Sequence, residues 1–307
     1  MYDTIIIGGG PGGASGAVYA ARKQLKTLLV TVEFGGQSSV STDIQNWIGT
    51  PHISGELLAK NLKTHVMEYA GEFLTVVEGQ KVTTVKKDGE LFTVETSDGK
   101  THQTKTVLIT AGSSRRQLSA KGADIFEHKG LTYCASCDGP VFSGLPVVVV
   151  GGGNAGFETA AQLLAYCPSV TMLNRTETFR ADEITVKKVL SHPNMKVINN
   201  AEILEVLGQD FVSGIIYKDS KTGETTTLPT SGIFVEIGQI SNAGFIGDLV
   251  EKDEFGKIKI NAWRQTTSLP GIWAAGDVTN IFYHQNNIAA GDAVKAVEDI
   301  YQYLHAK

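Results

Sequence analysis

Ile5-Ile6-Ile7-Gly8-Gly9-Gly10-Pro11-Gly12-Gly13 decides how this chain folds. The isoleucines form a short run without polar alternation, as expected of a strand buried on both faces of a parallel sheet. Gly8, Gly10 and Gly13 carry the G-x-G-x-x-G spacing, with Pro11 inside it. A segment rich in small residues follows (Ala14, Gly16, Ala17, Ala20, Ala21) and reads as a helix. Thr27 to Val32 is the next apolar strand and ends at Glu33, 20 residues after Gly13. Strand, glycine turn, helix, strand and acid make a dinucleotide-binding unit. Its glycines permit the tight turn, the approach of backbone to pyrophosphate and close helix–strand packing, and the helix N-terminus offers N–H donors to an anion.

The pattern recurs. Val147-Val148-Val149-Val150 is a second buried strand, and Gly151, Gly153 and Gly156 repeat the glycine spacing around Asn154. Phe157 to Ala165 then reads as a helix and Ser169 to Leu173 as a strand. One such motif is weak, but two copies in the same strand–helix setting are a strong signal. Each half continues with antiparallel segments, marked by turns at Asp88-Gly89, Asp98-Gly99 and Thr222-Gly223. Each closes on an apolar strand that ends in glycine, Val107 to Gly112 (through Ala111) and Ile233 to Gly238. The expected fold class is α/β, with two doubly wound nucleotide-binding domains, each with a β-meander crossover. One domain would take a flavin dinucleotide and the other a nicotinamide dinucleotide.

The tail follows a different pattern. Gly271 to Val278 is an apolar strand that delivers Asp277, after Gly276, to a loop, and a helix follows from about Ile288 to Leu304. An acid at the carboxyl end of a parallel strand lies where ligands bind such sheets. The tail is therefore expected to rejoin the first domain, which would comprise residues 1–116 and 241–307. Residues 117–240 would form the inserted nicotinamide-type domain.

Bulk properties narrow the function. The chain has 307 residues, 42% of them apolar and 19% charged, enough for about two soluble domains. A net charge of −5 argues against nucleic acid as the main partner. No apolar run reaches the ~20 residues that span a bilayer. The chain opens on a strand rather than a signal peptide, so a cytosolic location is expected. Of three cysteines, Cys134 and Cys137 are spaced C-x-x-C, which without an export signal reads as redox or metal chemistry. A zinc site normally needs four ligands, and only two are at hand, so redox is favoured and no metal is expected. Cys167 reads as a packed, inert thiol. Asp138, directly after Cys137, is placed to exchange a proton with a thiolate, or is simply a turn residue before Gly139.

Along its whole length the chain resembles bacterial-type (low molecular weight) thioredoxin reductases, and is similar to the flavoprotein subunit of alkyl hydroperoxide reductase. The matching pieces are Gly8 to Gly13, Gly35-Gly36-Gln37, Asn46-Trp47, Cys134 to Gly139, Gly151 to Gly156, and Gly276-Asp277-Val278. The resemblance implies an FAD domain in which Gln37, Asn46, Asp277 and Gln285 contact the flavin or its ribityl chain, beside Gly36, Ala111 and Gly112. It implies that Cys137 receives electrons next to the flavin. Cys134 would then attack the disulfide of thioredoxin, with Asp138 as proton donor. It also implies a homodimer and a rotation of one domain against the other.

Several positions depart from the pattern. Where NADPH-type members carry His-Arg-Arg and a further Arg, this chain has Asn174-Arg175-Thr176 and Arg180. NADPH is therefore the expected donor, with a reduced margin over NADH. His284 stands where an Arg usually precedes Gln285, Ser241 replaces a proline, and Gly156 matches the peroxide-type relatives. No thioredoxin-like domain precedes the first strand, which argues against the full hydroperoxide reductase subunit. Ferredoxin or NADH as donor, and a glutaredoxin-like protein as acceptor, stay open, as does a non-catalytic flavin-binding regulatory module.

Overall fold

The computed structural model describes residues 1–41 and 43–306. Their packing divides the chain into a first unit, Met1–Ser114 with Gln239–Lys307, and a second, Arg115–Gly238.

In the first unit β1 (Tyr2–Gly9) leads into α1 (Pro11–Arg22) and β2 (Thr27–Phe34). Then come α2 (Gly55–Met67), β3 (Leu74–Glu78), β4 (Val82–Asp88), β5 (Leu91–Thr96) and β6 (Thr101–Ile109). The sheet order is β3-β2-β1-β6-β5-β4. β1, β2, β3 and β6 are parallel, while β4 and β5 run antiparallel and join through Gly89 in the left-handed region. Because successive strand residues face opposite sides, the isoleucine run feeds two cores. Ile6, Leu29 and Leu108 pack under α1, and Ile5, Ile7, Val107 and Ile109 pack on the other face. β2 continues one residue past Glu33, to Phe34, because Gly9 pairs with Phe34 across a bulge.

The chain leaves through β7 (Ser113–Arg115) into the second unit. There β8 (Leu131–Thr132), the single turn α3 (Ala135–Asp138), β9 (Val147–Val150), α4 (Asn154–Leu163) and β10 (Val170–Leu173) follow in order. α5 (Glu183–Leu190), β11 (Met195–Ile198), β12 (Ala201–Gly208), β13 (Val212–Asp219), β14 (Thr225–Pro229) and β15 (Gly232–Val235) complete the unit. A parallel sheet runs β11-β10-β9-β15-β8, and β12-β13-β14 form a separate antiparallel sheet. Val148, Val150 and Ile233 meet Ile215 and Tyr217 of that small sheet, while Val147, Val149 and Phe234 pack under α4 through Phe157 and Leu163. α4 starts at Asn154, three residues before the sequence suggests, because extended Gly153 caps it and Gly156 fits its first turn.

On return, β16 (Gln239–Ser241) and β17 (Ile272–Ala274) precede α6 (Asn286–His305). β17 pairs in parallel with the end of β6, so the tail strand completes the first sheet. α6 packs on α1 through Ala293, Ala296, Val297 and Ile300. Buried Trp273 donates to Asp299 on α6 (2.9 Å), and Arg264 pairs with the same carboxylate. No helix among the described residues is long and apolar enough to cross a membrane.

A Cβ on Gly13 would lie 1.7 Å from the Gly8 carbonyl oxygen, a backbone atom that cannot move aside. Gly13→Ala should therefore lose about 1–3 kcal/mol of stability. Urea unfolding measures the loss, and an unchanged midpoint would contradict this account.

Candidate functional site

In the first unit, the residues singled out from the sequence gather at the carboxyl ends of β1, β2, β6 and β17. A Cβ on Gly8 would meet Thr110 and Ala111, one on Gly12 would meet Ala289 of α6, and one on Gly36 would lie 3.6 Å from the Gly10 Cα. Gly10, by contrast, faces open space, and α1 begins there with no acid in its first turn. The free amides of a helix start and an open glycine before them suit an anionic pyrophosphate. Asn46 Nδ2 donates to Gln285 Oε1 (3.1 Å), and Asn287 Nδ2 donates to the Asn46 carbonyl (2.7 Å). Gln37 Nε2 donates to the Ser113 carbonyl oxygen. Glu33 is exposed, while its carbonyl accepts from Thr31 Oγ1 (2.6 Å).

Asp277 follows Gly276, whose φ of 77° turns the chain out of the sheet. Its Oδ1 lies 3.3 Å from His284 Nδ1, too poorly aligned for a hydrogen bond. Lys257 Nζ sits 3.0 Å from His284 Nε2. Burial pushes the Lys257 amine down, opposed by Asp277 and Asp253. Sequence reasoning missed Lys257, Ser113 and Asn287; only the run Gln285-Asn286-Asn287 offered a visible signal.

The second unit holds a disulfide between Cys134 and Cys137, Cα atoms 5.3 Å apart. It follows β8, so it lies at the carboxyl edge of the parallel sheet. The Cys137 amide donates to Cys134 Sγ (3.2 Å), an arrangement that stabilises negative charge on that sulfur after reduction. Thr132 ties the site together: its hydroxyl donates to Asp138 Oδ2 and accepts from the Cys134 amide (3.2 Å). Gln162 of α4 donates to the Ala135 carbonyl (3.2 Å), fixing the cysteine turn on that helix. Cys167 is buried, and burial raises its thiol.

α4 also rises from the second glycine loop. A Cβ on Gly156 would lie 1.9 Å from the Gly151 carbonyl oxygen, as at Gly13 and Gly8. At the end of β10, where an acid would bind a ribose, stands buried Asn174. Its amide donates to the Thr176 carbonyl (2.7 Å) and the Thr178 carbonyl (3.2 Å), shaping a loop that returns over Gly152. Arg180 N donates to the Gly152 carbonyl (3.0 Å), Asn154 Oδ1 accepts from the Asp182 amide (2.8 Å), and the Arg175 and Arg180 residues are exposed. A Cβ on Gly153 would meet only the Arg180 carbonyl oxygen, at an ordinary 3.8 Å, and the first turn of α4 has no acid. This loop also fits a nucleotide pyrophosphate. No cluster among the described residues is suited to a metal ion.

This site defines a class, and similarity to known proteins agrees with it. The chain belongs to the pyridine nucleotide-disulphide oxidoreductase family, matched over residues 2–297. It is 37% identical over 303 residues to a protein named NADH dehydrogenase from Bacillus subtilis (strain 168), and 37% identical over 304 residues to the F subunit of alkyl hydroperoxide reductase from Escherichia coli (strain K12). Each match covers 99% of this chain and 58% of the relative, so the chain spans under two thirds of their length. The thioredoxin reductase structure from Streptococcus pyogenes MGAS5005 superposes with a TM-score of 0.90 at 32% identity, covering 100% of this chain and 99% of that one. The one from Giardia duodenalis gives 0.92 at 29% identity, over 99% and 98%. The fold is thioredoxin-reductase-like, with two Rossmann-type domains.

One further group at this edge was not legible. Glu236, just past β15, accepts from Thr159 Oγ1 on α4 (2.8 Å). Burial pushes its carboxyl up to about 7 from the usual 4.5; Thr159 and Arg115 oppose the rise and Glu158 adds to it. The unfolded chain thus ionises Glu236 from about pH 4.5, and the folded chain only near 7. Stability should fall across that window and stay lower above it. The penalty above pH 7 is roughly 2–3 kcal/mol, which Glu236→Gln should recover at pH 8 but not at pH 4.5. Denaturation curves at the two pH values decide the matter; equal gains at both would contradict it.

Proposed function

We propose that the chain is an FAD-dependent disulfide reductase. Electrons from a nicotinamide nucleotide, NADPH in preference to NADH, leave through Cys134–Cys137 to thioredoxin or a similar small dithiol protein. The observation that carries this reading is the Cys134–Cys137 bridge on the same sheet edge, and against the same helix, as the second glycine loop. A cytoplasmic location, expected from the sequence, belongs to the same reading, as does homodimerisation, which rests on the resemblance alone.

FAD, when bound, supplies a two-electron relay between donor and disulfide. The chain's own residues handle the exchange that follows. With the pair reduced, the Cys134 thiolate is favoured by the Cys137 amide and attacks one sulfur of the acceptor disulfide. The acceptor's S–S bond breaks, and its leaving thiolate takes a proton from Asp138, which Thr132 holds beside the pair. Cys137 then attacks Cys134 Sγ, which releases the second acceptor thiolate and restores the bridge.

A second reading has one observation in its favour, the 37% identity to the F subunit of alkyl hydroperoxide reductase. Under it the acceptor is the disulfide of a hydroperoxide-removing partner, and NADH competes better. Arg175 and Arg180 support NADPH. Thr176 stands where a third cation would add about 10- to 150-fold in affinity.

Anaerobic titration of the purified yellow protein with NADPH, NADH and reduced ferredoxin, followed by addition of oxidised thioredoxin, tests the proposal. Both nucleotides should bleach the flavin, NADPH at lower concentration, and thioredoxin should restore the colour. In Cys134→Ser, reduction should give long-wavelength charge-transfer absorbance from the Cys137 thiolate. Cys137→Ser should lack that band and pass no electrons to thioredoxin. Bleaching by ferredoxin alone would overturn the donor assignment, and a colourless protein the whole reading.

The proton-transfer role has its own check. Asp138→Asn should slow thioredoxin turnover by ~10²–10⁴-fold while sparing flavin reduction, and Thr132→Val should do so more weakly. Unchanged turnover in Asp138→Asn would leave that carboxyl an ordinary turn residue.

A further inference from the structure

Within the second unit's parallel sheet, the chemistry lies along one edge in strand order. Asn174 follows β10, Gly151 follows β9, Glu236 follows β15, and Cys134 comes two residues after β8. Neighbouring strands lie about 4.8 Å apart, so Glu236 stands between the glycine loop and the disulfide. A Cβ on Gly151 would lie 2.2 Å from the Glu236 carbonyl oxygen, which shows how tightly the two segments abut. Strand order also reverses between β9 and β15, and a dinucleotide crosses such a sheet at that point. The adenosine half of a dinucleotide held at this loop would run over β10, towards Asn174 and Arg180, and the other half over β15.

We infer that Glu236 faces the nicotinamide half of the bound dinucleotide and sets the preference between its reduced and oxidised forms. This rests on the reading of the second glycine loop as the donor site. The two redox forms differ in charge at the ring: the reduced ring is neutral and the oxidised ring is a cation. An ionised Glu236 attracts the cation and so holds the spent nucleotide, whereas a protonated Glu236 is indifferent to ring charge and lets it go.

The carboxyl is suited to change between these states near neutrality, since burial holds it at about 7. Three groups act on it: Thr159 on α4 through its hydroxyl (2.8 Å), Arg115 in favour of ionisation, and Glu158 on α4 against it. Lower pH would thus favour uptake of the reduced donor, and higher pH would favour retention of the oxidised product.

The test is binding, measured by calorimetry on the oxidised holoprotein between pH 5.5 and 8.5. The probes are NADP+ and NAD+ with their 1,4,5,6-tetrahydro analogues, whose rings are neutral and cannot transfer hydride. The 2′-phosphate of the NADP pair titrates alike in both members and cancels in the ratio of dissociation constants. In the wild type, preference for the cationic ring should rise about tenfold across pH 7. In Glu236→Gln the ratio should be flat and equal to the low-pH value. Thr159→Val, which removes the hydrogen bond favouring the carboxylate, should move the midpoint to higher pH. A wild-type ratio independent of pH, or an unchanged rise in Glu236→Gln, would overturn the inference while leaving the donor site in place. Failure of all four nucleotides to bind would overturn the donor site and the inference together.

Discussion

A helix can start directly against the carboxyl end of its own strand only if no side chain separates them. Gly13 over the Gly8 carbonyl and Gly156 over the Gly151 carbonyl meet this condition, with ideal Cβ positions 1.7 and 1.9 Å from backbone oxygen. Because both contacts are backbone on backbone, no neighbour can relax to admit a methyl group. The approach aims the first-turn amides of α1 and α4 at the space beyond the sheet, and so makes two anion sites out of ordinary helix ends. In the first unit the residues around that space come from β2, β6, the loop after β17 and the start of α6. In the second they come from the strands flanking β9.

The two units use this geometry differently. In the first, amides bond amides: Asn46 with Gln285, Asn287 with the Asn46 carbonyl, Gln37 with the Ser113 carbonyl. Such groups orient the uncharged parts of a ligand without charge of their own. The second unit places a half-buried carboxyl and a disulfide at neighbouring strand ends, where charge and electron transfer matter. A cleft lined by Pro146, Thr171, Lys196 and Thr230 opens at the opposite end of these strands. It lies away from the chemistry.

Much of the fold was legible because its signals are local. Unalternated runs such as Ile5–Ile7 and Val147–Val150 mark doubly buried strands, and Gly89 and Gly223 do stand in left-handed turns. Element ends were less legible. β2 runs past Glu33 because of a bulge opposite Gly9, and α4 starts at Asn154 because of the Gly153 cap. No periodicity reports either feature. The cysteine pair was legible from spacing. Thr132, Thr159 and Glu236 were not, since each gains its meaning from the strand or helix it adjoins. Asn174 was visible as a departure from the family pattern, but its hold on the Thr176 and Thr178 carbonyls was not. Strand order is a property of the whole chain, and a single polar residue at a strand end carries no mark of its neighbours.

The pairing of β17 with β6 has a consequence for how the chain assembles. Ile109 and Ala274 are register partners, yet all of the second unit lies between them in sequence. During synthesis the first sheet stays one strand short until residues 272–274 emerge, and Asp299, the anchor of Trp273, arrives later still. By then the second unit is complete, and its ends are joined by the Arg116 amide on the Gly238 carbonyl (3.0 Å). A folded insert with adjacent ends shortens the loop that β17 must close to roughly a quarter of its length, which saves about 1 kcal/mol of chain entropy. The inserted unit thus acts as a clasp for its host, and damage that unfolds residues 115–238 also loosens the last strand of the first sheet.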